Sequence, residues 1–272
     1  MSVERRDPRA RVAAHHRTGT ANARIGYPIG VREVAILARR YVTPRMLRLT
    51  IGGPGLDGFH TYQADDHVKI VFADADGTVR APVPNDELTL DWPKQGSPTR
   101  KYTVRRFDAA ARELDLDFVL HDGGLASTWA AGAQVGDRVT IAGPPGALAF
   151  PHSYDHYVFA VDATALPALA RWLEESPDDV SAQVVIETEH ADEHSYPLAQ
   201  RAGVTVTWLV RGQATGSALA DTVAALPLPG GRGFLFAAGE AGDIKPLRAW
   251  VKGRLDSLFT GYWKRGVAGL DD

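Results

Sequence analysis

Arg100, Tyr102 and Thr103 fall close together on a strand-like run, Arg100-Lys101-Tyr102-Thr103-Val104-Arg105. A guanidinium, a flat aromatic ring and a short hydroxyl at that spacing are the groups an FAD molecule needs. They offer a bidentate partner for its pyrophosphate, a plate against its isoalloxazine and a hydrogen-bond partner near N5. Further along, His121-Asp122-Gly123-Gly124-Leu125-Ala126-Ser127-Thr128-Trp129 supplies two glycines and then Ser127 ahead of a predicted short helix. Free backbone N–H groups and the positive end of a helix receive phosphate at such a place. Each half alone is ordinary strand or turn vocabulary, in which Arg100 and Arg105 are solvated, Tyr102 is core and Ser127 is a helix cap. Their order and spacing together outline a flavin site.

The surrounding elements divide into two kinds. From Glu33 to Phe150, β-rich runs such as 34–41, 46–51, 67–72 and 138–141 are separated by Gly and Pro, and 114–120 alternates apolar and polar positions. This predicts an antiparallel β-barrel or sandwich. After Pro151-His152-Ser153 the pattern becomes strand and helix in turn: 157–161, 165–175, 183–188, 204–210, 217–226, 234–237 and 244–255. Such alternation predicts a parallel sheet flanked by helices. The fold class is therefore α+β with two domains, an antiparallel FAD-binding β-barrel at 29–152 and an α/β nucleotide-binding-like domain at 153–272. Residues 1–28 carry Arg5, Arg6, Arg9, Arg11, His15, His16 and Arg17 with few large apolar side chains, and read as a flexible basic tail.

With the further segments 135–146, 161–168, Ala238-Gly239-Glu240-Ala241 and Gly261-Tyr262-Trp263-Lys264-Arg265-Gly266, the chain resembles the siderophore-interacting protein family. These are FAD-containing ferric-siderophore reductases related to the ferredoxin-NADP reductase superfamily, and the resemblance covers most of the length. It departs at Leu125, where the family usually has proline, and at Asp122, where it usually has glycine. The resemblance implies a flavin between the domains. Arg100 then pairs with the pyrophosphate, Tyr102 stacks on the isoalloxazine or its ribityl side, and Thr103 bonds near N5, with Val104 and His67 beside them. Tyr102 and Thr103 point to opposite faces of a regular strand, so the flavin lies along a strand edge or the strand twists there. His121, Gly124, Ala126 and Ser127 form the phosphate and adenine side. Lys69 and Arg105 become candidates to face an anionic ferric chelate, with Lys245, Arg248, Lys264 and Arg265 as a second basic set. The alternative for Lys69 is a solvent-facing strand lysine, and for the second set ordinary surface charge.

Composition narrows the chemistry. The 272 residues, 44% of them hydrophobic, suit two domains with real cores. No run reaches the roughly 18 apolar residues of a membrane span and the Arg-rich N-terminus has no secretory segment, so the expectation is a cytoplasmic protein; a monomer is also expected. The absence of cysteine excludes disulfides, thiolate catalysis and a cysteine-bound iron–sulfur cluster, which leaves an organic cofactor to carry electrons. Net charge −3 and a pI near 6.3 argue against nucleic acid as a partner. His121 lacks a second ligand at metal-binding spacing, so no protein-bound metal is expected.

The electron donor is less defined. Where the wider superfamily places a Gly-rich dinucleotide loop, this chain reads Asp162-Ala163-Thr164-Ala165-Leu166-Pro167. Asp162 would repel a pyrophosphate unless it caps the helix, which is the default reading for Asp162 and Thr164. NAD(P)H is therefore expected to bind weakly, with ferredoxin as the substitute. The expected activity is FAD-dependent reduction of a ferric siderophore with release of Fe(II). The rivals are a general NAD(P)H-flavin or ferredoxin oxidoreductase and a non-catalytic ferric-siderophore carrier.

Overall fold

Alternation of apolar and polar residues lets each strand of the first half bury one face. A computed structural model describes residues 7–87 and 89–269. In it, seven antiparallel strands run in the order Thr99–Thr103, His67–Val71, Arg138–Ala142, Val31–Thr43, Met46–Gly52, Glu113–Val119 and Arg106–Asp108. The strands at the two ends of that order are joined by residues 104–105 alone. Arg105 N–H donates to the Asp115 carbonyl at 3.0 Å, so the sheet closes as a barrel. Leu47, Leu49 and Ile51 meet Leu114, Leu116 and Phe118 inside it, together with Val34, Ile36, Val68 and Ile70.

The second half is a five-stranded parallel sheet ordered Val204–Val210, Ala182–Thr188, His156–Asp162, Gly233–Glu240, Asp256–Trp263. Every residue of Gly233–Glu240 is buried, as a central parallel strand covered on both faces requires. One face, with Phe159, Val161 and Phe236, packs helix Leu166–Glu175 and meets Met46, Ala64 and Phe150 from the barrel side. The other face, with Val158, Ala160 and Leu235, is covered by Leu219, Val223 and Leu247 from the far-side helices. Strand order reverses between His156–Asp162 and Gly233–Glu240, so the crevice at their C-terminal ends is the switch point of the sheet.

Three elements differ from the sequence reading. The basic tail, over its described part, is a helix Arg9–Thr18 and a strand Ala23–Gly26 that pairs with Gly146–Ala149; residues 1–6 lie outside the described residues. Val12, Ile25 and Tyr27 are buried against Ala147 and Ala149, while backbone bonds such as His152 N–H to the His16 carbonyl (2.8 Å) hold the segment without many large apolar side chains. The predicted helix at 244–255 is split into Ala241–Ile244 and Leu247–Trp250, because Pro246 lacks an N–H to continue the ladder. Beyond it lies the strand Asp256–Trp263, which the sequence reading did not assign.

Val12 is 1% exposed, so Val12→Asp should cost about 2–4 kcal/mol and lower the melting temperature by about 4–10 °C. Differential scanning calorimetry measures this; a shift within about 2 °C would mean that the segment is a loose tail after all.

Candidate flavin site

Register decides which way each flavin-motif side chain points. Thr103 pairs with His67, Tyr102 with Val68, Lys101 with Lys69 and Arg100 with Ile70. Val68 and Ile70 belong to the barrel interior, so Arg100 and Tyr102 share the inner face, and Thr103 shares the outer face with His67 and Lys69. The Tyr102 ring packs on Phe118 at 4.2 Å with a 35° tilt, and burial pushes its phenol well up. Thr103 is 8% exposed and its hydroxyl reaches Tyr262 of the second domain. A ligand that touches both Tyr102 and Thr103 must straddle the strand end, where residues 104–105 turn away. Among the described residues the Arg100 guanidinium bonds only to its neighbouring Thr99 carbonyl, at 2.7 Å.

The glycine loop forms a preset cradle. Ser127 Oγ accepts from His121 N–H at 2.8 Å and donates to the His121 carbonyl at 2.7 Å, which ties the loop into a ring. Gly123 has φ +75°, a left-handed conformation that favours glycine, and the His121 ring lies against Gly124. Helix Leu125–Gly132 starts at Gly124 with no side-chain cap, which leaves the N–H groups of its first turn aimed outward. The Ser127 hydroxyl is committed to the loop, so the donors left here are backbone groups, with Ala126 small and buried beneath them. An uncommitted guanidinium and an uncapped helix start fit the pyrophosphate of a dinucleotide such as FAD.

At the switch point of the sheet the chain supplies its own anion. Asp162 Oδ1 accepts from Thr164 N–H (2.8 Å) and Thr164 Oγ1 (2.5 Å); Oδ2 accepts from Glu240 N–H (2.8 Å) and Trp263 Nε1 (2.7 Å). Gly239, at φ +144°, is needed because a Cβ there would lie 2.5 Å from the Asp162 carboxyl. Burial raises the Asp162 pKa, against these donated hydrogen bonds. The capping reading of Asp162 matches this geometry, and the donors that would otherwise greet a pyrophosphate are taken.

Several predicted residues are placed elsewhere. Arg105 is 6% exposed and forms a two-pronged pair with Glu174 at 2.8 and 2.5 Å, so it joins the domains and does not face a chelate. Val104 is fully buried; its N–H donates to the Asp66 carbonyl and its carbonyl accepts from Arg171 Nη1, which leaves no backbone group for a cofactor. Arg248 lies over Phe259 at 4.5 Å, and Lys245 follows Ile244, both beside the sheet face turned away from the barrel. These two are not brought together with Lys69, whose ammonium sits 5.0 Å from the Trp92 ring centroid. Lys264 is exposed just past Trp263, at the switch-point end of the sheet.

Sequence reasoning missed the acids and cations of the domain seam. Arg48 grips Asp117 at 2.6 and 2.7 Å inside the barrel wall, and Tyr196 of the second domain donates to the same carboxylate at 2.6 Å. Although burial works against it, the Asp117 carboxylate keeps the Arg48 pKa raised. Arg171 reaches from helix Leu166–Glu175 to Thr61 Oγ1 at 2.6 Å. The available signal was Asp117 on a strand whose neighbours alternate into the core. Among the described residues no three His, Cys, Asp or Glu cluster to hold a metal ion, and no helix is long and apolar enough to cross a membrane.

An antiparallel barrel joined to a parallel sheet of this order is the two-domain ferredoxin reductase-like fold. Residues 35–148 match the siderophore-interacting FAD-binding domain, and residues 154–266 match the siderophore-interacting protein domain that follows it. The chain belongs to the siderophore-interacting protein family, and its barrel is an FAD-binding domain. It is similar to the crystal structure of a siderophore utilization protein from T. fusca, at 39% identity and TM-score 0.84 over 92% of this chain and 98% of that one. It is 31% identical to the NADPH-dependent ferric-chelate reductase of Escherichia coli, over 82% of this chain and 87% of the relative. It is also 31% identical to the ferric vibriobactin reductase ViuB of Vibrio cholerae, over 86% and 90%.

Asp117→Ala should cost about 3–5 kcal/mol, because Arg48 is left charged and buried without its partner. Urea unfolding measures it; a variant as stable as the parent would show that the seam does not depend on this pair.

Proposed function

We propose that the chain is an FAD-dependent reductase of ferric siderophores that releases Fe(II) in the cytoplasm, working as a monomer with electrons from NAD(P)H or ferredoxin. The observation that carries this reading is that, among the described residues of the FAD-binding domain, the Arg100 guanidinium has no acidic partner and helix Leu125–Gly132 starts without a side-chain cap. Bound FAD supplies the conversion between two-electron donors and one-electron acceptors. Arg100 and the backbone N–H groups after Gly124 hold its pyrophosphate, Tyr102 fixes one side of the ring, and Thr103 holds a hydrogen at N5. Phe118 behind Tyr102 keeps that ring from turning. Lys69, over Trp92, offers a cation and an aromatic face to an anionic chelate. Hard oxygen ligands hold Fe(III) more firmly than Fe(II), so reduction loosens the complex and no acid or base needs to attack the metal.

The name of the Escherichia coli relative favours NADPH as donor. The four donors already gathered by Asp162 favour a weak hold on any nucleotide pyrophosphate, which keeps ferredoxin in play.

Purified protein should be yellow, and anaerobic NADH or NADPH should yield trapped Fe(II) from a ferric siderophore. Flavin that neither nucleotide reduces would assign the donor role to ferredoxin; a colourless protein that still binds the chelate would make it a carrier. Arg100→Ala removes a charge-assisted contact of about 1.5–3 kcal/mol and should weaken FAD binding about 10- to 150-fold. Unchanged flavin content in that variant would refute the pyrophosphate assignment.

A further inference from the structure

Asp65 belongs to the barrel loop before strand His67–Val71, yet both partners of its carboxyl come from the last strand of the second domain. The Tyr262 hydroxyl donates to Oδ1, and Thr260 Oγ1 donates to Oδ2 at 3.3 Å. The Thr103 hydroxyl lies next to that of Tyr262. Hydroxyl, hydroxyl and carboxyl therefore line up from the outer face of the flavin-motif strand to a half-buried acid at the domain seam. Packing does not call for an acid there, since the adjoining gap is lined by Ala64, Phe150, Phe159, Ala168, Trp172 and Phe236. An acid beside apolar side chains and a second carboxyl costs stability, which points to a use for it.

We propose that Thr103, Tyr262 and Asp65 form a proton relay, in which Asp65 is the terminal acceptor for the proton that leaves flavin N5 as electrons pass to ferric iron. The proposal rests on the flavin reading of Thr103 given above. For each two electrons handed to two Fe(III) ions, giving two Fe(II), one proton has to leave N5. Thr103 Oγ1 takes that proton and passes its own to Tyr262 Oη. Tyr262 passes its own to Asp65 Oδ1, which changes from carboxylate to carboxylic acid and then releases the proton to solvent. Asp65 acts through Tyr262 and does not itself touch the cofactor.

The groups around the relay set its proton affinity. Asp66, the next residue, adds negative charge; it is held by Tyr27 Oη (2.9 Å), Thr61 Oγ1 (3.1 Å) and the N–H groups of Tyr62 and Gln63, and it faces Arg171 from helix Leu166–Glu175. Asp162, from strand His156–Asp162, faces the Tyr262 hydroxyl. No cation pairs with Asp65 among the described residues. Burial first, then the Asp66 charge, outweighs the bonds from Tyr262 and Thr260 and lifts Asp65 to about 7. Such an acid can both take and return a proton near neutrality. Its folded pKa lies above the unfolded value of 3.8, so its contribution to stability is fully present below that value and is lost as pH rises through about 7.

The test uses the full chain with FAD and the variants Asp65→Asn and Tyr262→Phe. Wild-type protein that binds no FAD would overturn the flavin reading, and the relay with it. Without any substrate, the melting temperature of Asp65→Asn relative to wild type should rise from about pH 4 and level off just above pH 7; a difference independent of pH would overturn the protonated acid. Photoreduced protein is then mixed with ferric acetohydroxamate and flavin reoxidation followed by stopped flow. Wild type should show a rate that titrates near pH 7 and slows in deuterium oxide, whereas both variants, with FAD retained, should be slower by about 10²-fold and lose that titration. Tyr262→Phe keeps the ring's packing and carries the same readout where Asp65→Asn holds FAD poorly. A wild-type pH profile in FAD-loaded variants would overturn the relay.

Discussion

Three consecutive residues, Thr103, Val104 and Arg105, close the barrel and fasten it to the second domain in the same step. Arg105 N–H completes the ladder to Asp115 while its guanidinium crosses to Glu174. Val104 donates to the Asp66 carbonyl and accepts from Arg171 of the second domain. Thr103 meets Tyr262. A slip of one residue here would reverse every face of the flavin-motif strand and break the seam as well, so barrel closure fixes both the domain arrangement and the aim of Arg100, Tyr102 and Thr103.

The two ends of the cleft are treated differently. On the barrel side, a guanidinium without an acidic partner among the described residues and an uncapped helix start offer donors to an anion. At the switch point of the sheet, Asp162 gathers donors from Thr164, Glu240 and Trp263, and Glu240 in turn accepts from the N–H groups of Asp243 and Arg265. Unpaired donors are thus kept on the barrel side among the described residues, while the switch point is filled by the chain's own carboxylates. The buried Arg48–Asp117–Tyr196 group holds the halves in register without entering either end.

Local signals were legible in the sequence and long-range ones were not. The alternation from Leu114 to Leu120 announced a barrel strand, and the strand–helix alternation after Pro151 announced the parallel sheet, since both depend on period alone. The spacing of Arg100, Tyr102 and Thr103 marked the FAD-binding domain. Arg105 looked equally available, because its partner Glu174 lies 69 residues away and nothing nearby in the chain announces it. Helix Arg9–Thr18 was hidden by its charge: Val12 is its one buried residue, and backbone bonds do the rest. The strand Asp256–Trp263 was obscured by Gly261, which interrupts its alternation, and its importance lies in Tyr262 and Trp263, whose partners are again distant.

The central claim is that one strand end and one uncapped helix, held in place by barrel closure, form the seat of FAD between the domains. A crystal structure of the protein with FAD tests this most directly. The pyrophosphate should lie against Arg100 and the N–H groups following Gly124, with Tyr102 against the ring system and Thr103 at N5. A dinucleotide seated instead at Asp162, on the sheet's switch point, would contradict it.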